Sequence, residues 1–170
     1  VYLYISAIGH QTHSLINKRQ NLKGWNYLED VFAQLGQDNS PLLKPEIIAN
    51  FSSAELSCKL RPLFAEDGNP KNCTLDRLDK RSTLLIQTAK TLNAKYSGQV
   101  KNLLQISNGF LKNNKTGLYY LLQDFIAFAD PLRKKSTVFI QLATNANLYK
   151  IKDLESIEPV MDYHMQRLLL

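Results

Sequence analysis

Arg133-Lys134-Lys135-Ser136 puts three cations and a hydroxyl in four consecutive positions, just after Asp130-Pro131 and just before the apolar Val138-Phe139. A residue that precedes proline avoids helical angles, so one helix ends at Asp130 and a second begins near Ser136. The first N–H groups of a helix have no partner within it, and that end carries partial positive charge. A basic turn running into such an end is a device for gripping phosphate, with Arg133, Lys134, Lys135 and Ser136 as its contacts. The plainer alternative is a solvated hairpin whose cations face water. Asp162, twenty-seven residues after Lys135, stands in Pro159-Val160-Met161-Asp162-Tyr163-His164-Met165-Gln166-Arg167. Asp162 is placed to cap a helix, where a carboxylate accepting backbone N–H groups is worth about 1 kcal/mol. Capping explains an aspartate, but not Asp-Tyr-His…Arg behind a basic hairpin. His164 packs or contacts a ligand, and Arg167 reaches a phosphate or pairs with Glu158.

The whole chain is basic. Over 170 residues, 21 Lys+Arg against 15 Asp+Glu give +6, with an isoelectric point near 9.3. Such an excess favours anionic partners, nucleic acid among them, although mild basicity also serves solubility alone. Cys58 and Cys73 match no zinc or cluster spacing and read as thiols in a reducing compartment. His10, His13 and His164 have no carboxylate or cysteine at ligand spacing, so neither a metal nor another cofactor is expected. No apolar run is long enough for a membrane span, and no signal peptide is visible. The missing initiator Met and the Leu168-Leu169-Leu170 end read as a domain taken from a longer chain.

The elements that must position these residues have the helical period almost throughout. Tyr2–Ser14 reads as one helix. Trp25, Leu28, Phe32 and Leu35 stripe a second, closed by Gly36, and Trp25 reads as core rather than as a stacking platform. Ser52-Ser53-Ala54-Glu55 has the spacing of a capping box and starts a helix over 53–60. Leu75, Leu78, Leu85, Ala89, Leu92 and Tyr96 stripe a helix over 74–96 that stops before Gly98. Further helices are expected over 100–106, 117–129 and 135–149, with a last helical segment over 161–170. Phe125 and Phe128 read as core. The loop 61–72, holding Pro62, Gly68 and Pro70, is the best candidate for a linker between two helical lobes within a single domain spanning 1–170. No alternating strand pattern is evident, and the fold class is all-α with seven to nine helices.

With these residues in place, the order hairpin, helix, loop, then Pro-x-x-Asp-x-His-x-x-Arg resembles the helix-hairpin-helix DNA glycosylase superfamily. Lys135-Ser136-Thr137-Val138-Phe139 and the gap to Asp162 look most similar to the archaeal 8-oxoguanine DNA glycosylase branch. Ile8-Gly9-His10-Gln11-Thr12 also resembles the Gln-Gln-Thr-like turn near the front of such enzymes. The order of elements covers most of the chain, but the motifs are specific only at 8–12 and 128–167. The chain departs from the family at the hairpin itself, where Asp130-Pro131-Leu132-Arg133-Lys134 replaces the usual Gly-x-Gly.

The resemblance implies a DNA-repair glycosylase of helix-hairpin-helix type that excises a damaged, oxidised purine and cleaves the strand through a Schiff base. Lys135 would be the nucleophile by its spacing from Phe139, with Lys134 the neighbouring alternative, and Asp162 would stabilise the cationic sugar. His10, Gln11 and Thr12 would enter the gap left by a flipped base, and Arg133, Lys134, Ser136, His164 and Arg167 would hold DNA. The implied partner is double-stranded DNA with a damaged base, the implied state a monomer, and the location cytoplasmic or nucleoid-associated. The four-cysteine iron–sulfur cluster of some relatives has no ligands here. A nucleoside or modified-nucleotide N-glycosidase on the same fold, and a non-catalytic DNA-binding module, are the alternatives.

Overall fold

The computed structural model describes residues 1–160, so the helical segment expected over 161–170, with Asp162, His164 and Arg167, lies outside the described residues. Among the described residues the chain is all-α, with eight α-helices: α1 Tyr2–Ile8, α2 Gly24–Gln37, α3 Pro45–Ile48, α4 Ser53–Leu60, α5 Leu78–Tyr96, α6 Val100–Ser107, α7 Leu118–Leu122 and α8 Lys134–Asn145. One antiparallel ladder, β1 Ile16–Asn17 with β2 Leu22–Lys23, escaped the sequence because two residues are too few to show alternation.

The longest helix, α5, packs against α1, α3, α4 and α6. It buries Leu85, Ala89, Leu92 and Tyr96, the stripe read from the sequence. It begins at Leu78 rather than 74, because Arg77 takes a left-handed conformation (φ 50°). It stops where Ser97 and Gly98 turn left-handed and the Gly98 N–H donates to Leu92 O at 3.0 Å. The capping box of α4 is present in full: Ser52 Oγ accepts the Glu55 N–H at 3.2 Å, and Glu55 Oε2 accepts the Ser52 N–H at 2.7 Å. Segment 61–72 is not a plain loop. Two 3-10 turns, Arg61–Phe64 and Pro70–Asn72, shape it. Phe64 is fully buried against Tyr27 and Phe32, in one continuous core with residues from both sides of the segment.

The helix expected over 117–129 is divided. It runs as α7, a turn, then a 3-10 turn Ile126–Phe128. The break falls where Phe125 adopts extended angles, stacks on Tyr96 at 5.7 Å, and the Tyr96 hydroxyl donates to Asp124 Oδ2 at 2.8 Å. The tertiary partners override the period. An aromatic ladder continues from Phe125 to Phe128 (6.1 Å) and from Phe128 to Phe139 (6.3 Å), so the middle of α8 is held by rings. That helix ends at Asn145 rather than 149, although Tyr149 remains buried beyond it.

Past α8 the chain returns to the 109–112 segment. The Lys152 N–H donates to Gly109 O at 2.8 Å, and Gly109 (φ +86°) lies so close that a Cβ there would be 2.9 Å from Lys150 O. Asp153, 7% exposed, accepts the N–H groups of Leu111 at 2.8 Å and Lys112 at 3.0 Å. Burial works against its ionised form, but these two N–H groups outweigh it and hold the carboxyl below its ordinary range. A carboxyl lowered on folding stabilises above its unfolded value and loses that contribution as pH falls through its folded value. Asp153→Asn should therefore cost about 2 kcal/mol at neutral pH, with the gap to the parent closing in urea melts taken at progressively lower pH below about 4.

Candidate active site

The sequence read Tyr2–Ser14 as one helix, but α1 stops at Ile8. Two cations from elsewhere in the chain take its last carbonyls. Lys135 Nζ donates to Ala7 O at 2.5 Å, and Arg81 donates to Ile8 O. Basic groups at a helix C-terminus satisfy carbonyls that have no partner inside the helix. The chain then turns through Gly9 and His10 to Gln11, which is left-handed (φ 48°). Glycine at position 9 admits the Trp25 ring, since an added Cβ would sit 2.3 Å from Trp25 Cζ3 and 2.7 Å from Ile5 O.

These parts enclose a cleft of about 610 Å³. Its walls are Ser6 of α1, the turn 9–13, Trp25 of α2, and Lys134, Lys135 and Val138 of α8. The two segments that the sequence singled out, 8–12 and 134–138, thus meet across one cavity, although about 120 residues separate them. The size is ordinary for a small-ligand site. Trp25 is half-buried: it packs against the core and also walls the cleft, so the core assignment made from the sequence is only half of its role.

The electrostatics of the cleft are cationic. Burial is the largest influence on the Lys135 amine. Asp130 opposes it, Arg81 and Lys80 add to it, and the result is a value of about 8. A fraction of Lys135 is therefore neutral, and nucleophilic, near neutral pH. His10 is lowered to about 4, first by burial, then by Arg81, Lys135, Lys80 and Arg77. It stays an uncharged imidazole, and neither ring nitrogen has a hydrogen-bond partner among the described residues. The buried Ser6 hydroxyl is likewise without a partner there.

The other sequence-derived residues divide. Thr12 and Lys134 line the cleft, and Lys134 is exposed. The Gln11 side-chain oxygen accepts from Arg77. Arg133 is not in the cleft. Its guanidinium shares Glu158 Oε1 with Lys112, each at 2.9 Å, and lies 5.2 Å over the Tyr119 ring. Ser136 is wholly buried and presents no hydroxyl at the surface, because α8 begins two residues earlier than expected. The Lys134 N–H, at the observed start of α8, donates to Asp130 Oδ1 at 3.0 Å. Cys58 and Cys73 are free thiols. Among the described residues, no three His, Cys, Asp or Glu side chains gather to hold a metal, and no helix is long and apolar enough to cross a membrane.

Sequence reading missed Arg81 and Asp76. Arg81 is 0% exposed, and its guanidinium bonds Asp76 Oδ1 at 2.6 Å. The signal was present: Arg81 stands three after Leu78 and four before Leu85, a charge in the register of an apolar stripe. No family model, curated protein or solved structure matches the chain.

Proposed function

We propose that this chain is a DNA glycosylase with associated lyase activity, acting on a damaged purine, with Lys135 as its nucleophile. The observation that carries the reading is a lysine amine, lowered to about 8, opening into a cleft shared with the 9–13 turn. A flipped nucleotide would enter that cleft, with Trp25 offering an aromatic face and the neutral His10 offering one donor and one acceptor. The neutral Lys135 amine would attack the sugar C1′ as the bond to the base breaks, and the base would leave with the electron pair. Loss of the amine proton and opening of the sugar ring would give an imine. Removal of a C2′ proton would then expel the 3′ phosphate. Lys134, exposed at the rim, would hold the DNA backbone. In this reading Asp162 remains the carboxylate that stabilises the cationic sugar.

The bond from Lys135 to Ala7 O favours a second reading, in which Lys135 caps α1 and the chain binds DNA without cleaving it. Borohydride trapping on duplex oligonucleotides that carry 8-oxoguanine or an abasic site separates the two. The glycosylase reading expects a covalent adduct with the 8-oxoguanine duplex, mapped to Lys135 by peptide mass spectrometry. Salt-sensitive duplex binding with no adduct on either duplex would favour the second.

A further inference from the structure

Arg81 is the largest side chain among the described residues to be wholly removed from water. Such burial is costly unless every donor is used and the charge is matched. Its Nε donates to Asp76 O at 2.8 Å. One terminal nitrogen donates to Ile8 O, and the other to Gln11 O at 3.4 Å and Asp76 Oδ1 at 2.6 Å. One planar fork thus ties together the segment before α5, the end of α1 and the turn after it. Only the five-donor geometry of arginine does this; a lysine ammonium has three donors around one point. Lys135 arrives from α8 at the adjoining carbonyl, Ala7 O. Two cations from opposite elements therefore share one helix C-terminus. Asp76 is one-third exposed and is shared between Arg81 and, at 3.8 Å, Arg77.

We infer that Arg81 is a positioning residue for Lys135: its guanidinium fixes the end of α1 on which the Lys135 amine rests, and it sets a permanent positive charge beside that amine. The inference deepens the Schiff-base reading of the cleft and rests on it for its purpose, but not for its test. The groups acting on Lys135 from the elements around it are Asp130 before α8, and Lys80 and Arg81 on α5. Asp130 favours the charged amine, while Lys80 and Arg81 disfavour it. His10, from the turn after α1, is neutral. Arg81 is distinguished from Lys80 in being buried, where its field is least screened, and in touching the same helix end.

The test measures Lys135 with no DNA present. The full chain is pulse-labelled with acetic anhydride between about pH 6 and pH 11, and labelling at Lys135 is read separately from Lys134 by peptide mass spectrometry. The parent is expected to show a Lys135 midpoint of about 8. Arg81→Met should raise that midpoint by about one pH unit, and Arg81→Lys should restore much of the drop by returning a charge. A purely structural role for Arg81 does not predict that recovery, because lysine cannot rebuild the five-donor fork. Should Arg81→Met fail to fold, Arg81→Gln, uncharged but able to donate to Ile8 O, takes its place. A Lys135 midpoint unchanged in the uncharged variant overturns the inference. A raised midpoint that recovers in Arg81→Lys, in a protein that never traps on DNA, would sustain the positioning role and reject the glycosylase reading.

Discussion

Lys135→Gln should abolish the borohydride adduct, lowering its rate of formation on the order of a thousandfold or more, because no other group supplies the attacking electron pair. Duplex affinity should change little, since the amine is half-buried and bonded to Ala7 O rather than presented at the rim. Lys134→Gln should behave in the reverse way. It should keep the adduct, weaken binding on all sequences alike, and reduce the salt dependence of affinity by roughly one counterion. Single-turnover trapping and salt-titrated binding on the same duplex check both. If the adduct survives Lys135→Gln and is lost in Lys134→Gln, the nucleophile moves by one residue. Lys135→Gln also removes a helix-end cation, which costs about 0.5–1 kcal/mol. A thermal melt keeps that loss apart from the chemical one.

Phe128→Ala should cost about 3–5 kcal/mol, the usual range for emptying a buried aromatic site. Phe128 is fully buried and lies edge-on to both Phe125 and Phe139, so its removal cuts the ladder between α5 and α8 in the middle. For a chain of this size the melting temperature should fall by about 10 °C or more. Phe128→Leu, which refills most of the volume, should cost clearly less. Because Phe139 lies one turn along α8 from Lys135, the loss should extend to the cleft. The acylation midpoint of Lys135 in Phe128→Ala is expected to rise from about 8 toward that of an exposed lysine. Urea melts, and Lys135 acylation followed across pH, measure the two effects independently.

The helical class, the capping box at Ser52 and the long stripe of α5 were legible because each depends on neighbours within a turn or two. The breaks were less so. Gly9 is the local sign that α1 ends at Ile8, while Arg81 and Lys135 take its last carbonyls from 73 and 128 positions away. Nothing local to 117–129 divides that segment; Tyr96 does, from α5. The cleft was partly legible. The sequence singled out Lys134, Lys135, His10, Gln11 and Thr12, and these segments converge. It also assigned Arg133 and Ser136 to the same surface, where the fold gives one to Glu158 and Tyr119 and buries the other. Arg81 went unread because the stripe was scored for its apolar members, and the charge inside it was passed over.

The pairing of α1 with α8 also has a consequence for synthesis of the chain. Leu3, Tyr4, Ile5, Ala7 and Ile8 are all buried. They leave the ribosome ahead of the helix carrying Lys135, which follows more than a hundred residues later. Closing so long a loop is slow, and an apolar segment left waiting is open to wrong partners. The cleft between the 9–13 turn and α8 is then one of the last features to assemble, and the nascent chain carries an uncovered apolar helix until α8 arrives. Expression of shortened chains lacking α8 would leave that helix permanently uncovered, and aggregation during translation is their natural fate.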